Sequence, residues 1–133
     1  MNIKKLTLAA MAGGITMWLL AGLWHKLIAI KFYAGETGAT HEGTGIIFIA
    51  YIVLALLMAY IYPLVYKGKH AQIEGLKFGI LIGILWVFPH ELAMAGSHGE
   101  SISYVFKNAI WHMVEQGVGG IIIALVYAKF QKN

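Results

Sequence analysis

Apolar residues run along this chain in four long blocks, and each block ends where lysine, histidine, glutamate or glycine gathers. The blocks are residues 6–30, 45–66, 75–95 and 104–130. A helix needs roughly 20 mainly apolar residues to cross a bilayer, and each block is about that long. The connections, 31–44, 67–74 and 96–103, are short, so successive helices are expected to pack as antiparallel neighbours. The expected fold is all-α: an integral membrane four-helix bundle, up-down-up-down, with residues 1–133 forming a single transmembrane domain.

Within the blocks, small residues mark faces suited to close packing. Gly75, Gly79 and Gly83 are spaced by four and share one face of the third helix. Ala10, Gly14 and Ala21 form a comparable stripe on the first. Small residues let helix backbones approach closely in lipid, so both stripes are expected to face inward. Trp18, Trp24, Trp86 and Trp111 are expected as anchors facing the membrane interface or a partner. Short matches between Gly22–Leu27 and Val87–Leu92, and between Gly43–Ile47 and Gly117–Ile122, suggest a tandem repeat of two helical hairpins.

Composition agrees with a lipid environment. Hydrophobic residues make up 59% of the 133 positions and charged residues only 12%, about half the share in a soluble domain. The absence of cysteine removes disulfides, thiolate metal sites and dithiol redox chemistry. All ten basic residues are lysines. Without arginine there is no bidentate grip on phosphate, so neither a nucleotide nor a nucleic-acid partner is expected.

The lysines also set an orientation. Lys4, Lys5, Lys67, Lys69, Lys77, Lys129 and Lys132 gather at one side, whereas Lys26, Lys31 and Lys107 on the other are mixed with Glu36, Glu42 and Glu100. The positive-inside rule places both termini in the cytoplasm and connections 31–44 and 96–103 outside, as in a bacterial inner membrane. Residues 1–5 followed by an apolar run look like a signal peptide, but a run reaching residue 30 is too long for one and is read as a retained helix.

Candidate chemistry lies in the ionisable residues inside the blocks: His25, His90, Glu91, His112 and Glu115. Such groups are costly in a membrane and usually face the bundle interior at a functional site. At 1.5 Å per residue, His25 and His90 lie about 7 Å in from the outer end, His112 about 12 Å and Glu115 about 16 Å. Continuing the small-residue stripes along each helix points all three histidines inward, and Tyr51 is expected in the same layer. Pro89 removes a backbone donor from the carbonyl of Leu85, which would re-aim His90 and Glu91.

This set suggests a transition-metal site, with His25, His90, Glu91, His112 and Glu115 as ligands for zinc, copper or iron. An alternative is haem b or another redox pigment held by two of the histidines, His25, His90 or His112. A third reading is an accessory subunit of a larger membrane complex, and a fourth is a small transporter in which Glu115 carries a proton. Four helices are few for a transport path, so a homo-oligomer or membrane complex is expected. The plainer reading is that these residues hydrogen-bond across helices and hold the bundle together. His70, His41 and His98 fall in connections and read as solvated.

Overall fold

The computed structural model describes residues 2–29 and 44–130. Residues 30–43 of the chain, with Lys31, Glu36, His41 and Glu42, lie outside the described residues, as does Lys132. Four helices follow in order: α1 (Ile3–Leu23), α2 (Thr44–Val65), α3 (Ala71–His98) and α4 (Ile102–Lys129). A π-helical turn, Trp24–Ile28, extends α1. All four helices are long and apolar enough to cross a membrane.

The ends of the helices explain where they outrun the apolar blocks. The Asn2 side chain caps α1 by accepting from the Lys5 N–H. Helix α3 begins at Ala71, four residues before its glycine stripe. Its first turn carries Glu74, favoured there by the helix dipole. Both Glu74 carboxylate oxygens reach back over the connection, accepting from the N–H of Lys67 (2.8 Å) and of Lys69 (3.2 Å). At its other end α3 runs past Pro89 to His98 and stops at Gly99, whose left-handed backbone (φ 73°) closes the helix. Ser101 caps α4.

Helix α4 is the centre of the bundle, touching α1, α3 and, more lightly, α2, while α1 packs closely on α2. Half of its apolar stretch is buried, against 22–33% for the others. Helices α3 and α4 run antiparallel in backbone contact: Gly75 lies against Gly120, Gly79 against Gln116 and Gly117, and Gly83 against His112 and Met113. A side chain at these glycines would collide with the facing backbone. Gly13 and Met17 of α1 pack on Ile123 and Gly119, so α1 is also antiparallel to α4. Helices α2 and α3 touch only sparsely, which leaves a seam between them.

The small-residue stripes do pack inward: Gly75, Gly79 and Gly83 are buried, as are Ala10, Gly14 and Ala21. The buried line on α3, however, follows the row of every fourth residue, Gly75, Gly79, Gly83, Val87, then half-buried Glu91. Such a row is inclined to the helix axis. Seven residues on from Gly83, His90 has therefore rotated off the packed face and is exposed.

One proline is repaired across the bundle. Pro63 lies inside α2 and has no N–H for the Ala59 carbonyl four residues earlier. The Tyr127 hydroxyl of α4 donates to that carbonyl at 2.7 Å. Lys5 lies over the Tyr127 ring, 4.7 Å from its centroid.

Candidate functional site

One polar cluster sits inside this apolar packing. Glu115 and Gln116 of α4 are both 0% exposed. They are adjacent in sequence, and both stay buried because α4 is packed on several sides. The Tyr51 hydroxyl of α2 donates to Glu115 Oε1 at 2.8 Å. His112, one turn earlier on α4, places Nδ1 3.0 Å from Glu115 Oε2. The Gln116 amide nitrogen lies 3.2 Å from the same oxygen and 3.3 Å from His112 Nδ1. Gln116 Oε1 has no hydrogen-bond partner among the described residues. Helix α3 contributes no side chain here: Gly83 brings its backbone against the His112 carbonyl and Gln116 Oε1.

The arrangement can hold a proton in more than one place. With Glu115 ionised, Tyr51 O–H and a Gln116 N–H donate to it, and His112 Nδ1–H is a third donor. With Glu115 protonated, its O–H can donate to His112 Nδ1 and the imidazole proton resides on Nε2. The same heavy-atom positions serve both states. Toward the lysine-rich end, the cluster gives way to apolar packing that includes Met17, Met58, Ile123 and Ala124.

The other expected residues separate into different settings. His25 stands on the π-helical turn, exposed yet close enough to Glu115 and His112 for their charges to act on it. π-Helical turns recur at functional sites. Beside it, Trp24 stacks on Trp111 with ring centroids 4.1 Å apart, joining α1 to α4 above the cluster. His90 is exposed on α3, and Glu91 accepts from the Asn108 amide of α4 at 3.1 Å. Among the described residues, no group of three or more histidine and acidic side chains could hold a metal ion. At the level of His112, α3 and α4 are in backbone contact.

Two features were missed in the sequence, one with a weak signal and one with none. Asn108 lies four residues before His112 on the same face of α4, a polar residue in an apolar run. The π-helical turn has no signal in the pattern of apolar residues. Comparison with family models, curated proteins and solved structures finds no match.

Proposed function

We propose that this protein is a small proton-handling membrane protein, with Glu115 as the group that takes up and releases the proton. The carrying observation is a fully buried carboxylate at the centre of four membrane-length helices, met by Tyr51, His112 and Gln116. A buried ionisable chain of this kind in a membrane span is the usual mark of a proton relay. His112, only 20% exposed at its side chain, is the entry step and His25 the outermost one. The apolar packing below Glu115 blocks continuous flow. Proton movement is therefore coupled to a rearrangement of the bundle, as in a small transporter acting as a homo-oligomer. The helix registers and the lysine distribution support an up-down-up-down path with both termini in the cytoplasm.

The test is an infrared pH titration of the full chain in liposomes. One carboxylic acid C=O component should be present on acidification in the parent and missing in Glu115→Gln, whereas the components of the other five glutamates are common to both. The same liposomes, loaded with a pH-sensitive dye, should show proton uptake that Glu115→Gln abolishes. Identical infrared titrations in parent and variant would refute the assignment.

A second reading is a mononuclear transition-metal site on His112, Glu115 and His25. The observation in its favour is that His25, on the π-helical turn, lies within reach of the charges of Glu115 and His112. It requires His25 to turn inward, and it leaves out His90 and Glu91. Stoichiometric zinc, copper or iron in the purified protein, lost in both His25→Ala and His112→Ala, would favour it over the proton reading.

A further inference from the structure

The open seam between α2 and α3 ends in a groove of about 580 Å³ at the lysine-rich end of the bundle. That volume falls within the range of roughly 300–1,000 Å³ typical of small-ligand sites. Its wall is apolar: Ile73, Phe78 and Leu81 of α3 face Val65 at the end of α2. Phe78 is backed by the Tyr62 ring, 5.5 Å between centroids. Lys67 and Lys69, on the connection at its mouth, and Lys77 of α3 also line it.

The charge at this mouth is organised. Glu74 lines the groove too, but both its oxygens are held by the N–H groups of Lys67 and Lys69. Gly68 between them adopts a left-handed backbone (φ 77°), which lets the connection fold over the carboxylate. The carboxylate thus fixes the loop that carries two of the lysines. Three ammonium groups stand against one acidic side chain. From His70 to Leu81 the groove follows one face of α3 for about 16 Å, so it runs from the membrane surface into the hydrocarbon. Lys77 lies deeper than the others, and its long stem can carry the charge back to the mouth.

We propose that this groove binds one anionic phospholipid, its phosphate among Lys67, Lys69 and Lys77 and an acyl chain along Ile73, Phe78 and Leu81. A cationic rim around an apolar channel that opens sideways into lipid matches both parts of such a molecule. Basic pockets between membrane helices hold anionic headgroups in this way. Free phosphate would use the lysines and leave the apolar wall unoccupied. The groove lies on a different face of α3 from Gly79 and Gly83, which pack against the α4 backbone at the proton cluster.

The test is native mass spectrometry of the full chain in an uncharged detergent, with phosphatidylglycerol or phosphatidylcholine added. One phosphatidylglycerol per chain should be retained, and phosphatidylcholine at least tenfold less. The triple variant Lys67→Gln/Lys69→Gln/Lys77→Gln should lose most of the retention. Leu81→Trp, which fills the groove and leaves every charge in place, should lose it as well; if that variant fails to fold by circular dichroism, Ile73→Trp replaces it. Equal retention of the two lipids would overturn the proposal. So would a groove-filled variant that binds phosphatidylglycerol like the parent, or full displacement of the lipid by millimolar inorganic phosphate.

Discussion

Tyr127→Phe removes one oxygen, and its effect should depend on residue 63. In the parent protein the Tyr127 hydroxyl donates at 2.7 Å to the Ala59 carbonyl. Pro63 supplies no helical N–H there, and Ala59 is 0% exposed. Without the hydroxyl, the carbonyl has neither its helical donor nor water. Leaving a buried acceptor unpaired costs about 1–3 kcal/mol, whereas cross-helix hydrogen bonds in membranes average about 0.6 and reach about 1.7 kcal/mol. The expected loss is therefore about 1–2 kcal/mol. In a Pro63→Ala background the backbone supplies the missing N–H. The same Tyr127→Phe change should then cost less than about 0.5 kcal/mol, a coupling of about 1 kcal/mol between the two sites. Reversible unfolding in mixed micelles by titration with a denaturing detergent, followed by tryptophan fluorescence, measures all four corners of the cycle. An equal cost of Tyr127→Phe in both backgrounds would refute the argument that the tyrosine compensates for the proline.

The glycines give a contrast within one substitution type. Gly79→Ala would put a methyl group into the Gln116 carbonyl and Gly117 backbone, forcing α3 and α4 apart by roughly 1 Å at a cost of about 1–3 kcal/mol. Gly22→Ala meets nothing within 4 Å and should be neutral or stabilise by up to about 1 kcal/mol; the same unfolding assay checks both, and equal stabilities would contradict the packing. Tyr51→Phe removes the donor to Glu115 Oε1, so the carboxylic acid band in the infrared titration should move to higher frequency. An unmoved band would mean that the two groups are not hydrogen-bonded in the bilayer.

How much of this was legible follows from the length scale of each signal. Membrane-spanning helices depend on some 20 residues at once, so isolated polar residues do not hide them, and all four lie where the apolar blocks do. Their ends depend on single contacts. The start of α3 at Ala71 rests on Glu74 folding back on the N–H groups of Lys67 and Lys69, which no apolar pattern encodes. The facing of polar residues lies between these cases. Glu115, His112 and Tyr51 were legible as one layer because α4 is packed on several sides and small errors in rotation do not expose them. His90 was not, because the contact with α4 follows the inclined row of every fourth residue. Two turns beyond Gly83 that row has passed to Val87 and Glu91. His25 fails for a different reason. It continues the buried row Ala9, Gly13, Met17 and Ala21, but the π-helical turn interrupts the register there, and Trp24 takes the inner position against Trp111. A row of small residues therefore predicts the facing of a polar residue only while the helix keeps one register and one packing partner. On α4 both conditions hold as far as Glu115, and that is where the buried chemistry sits.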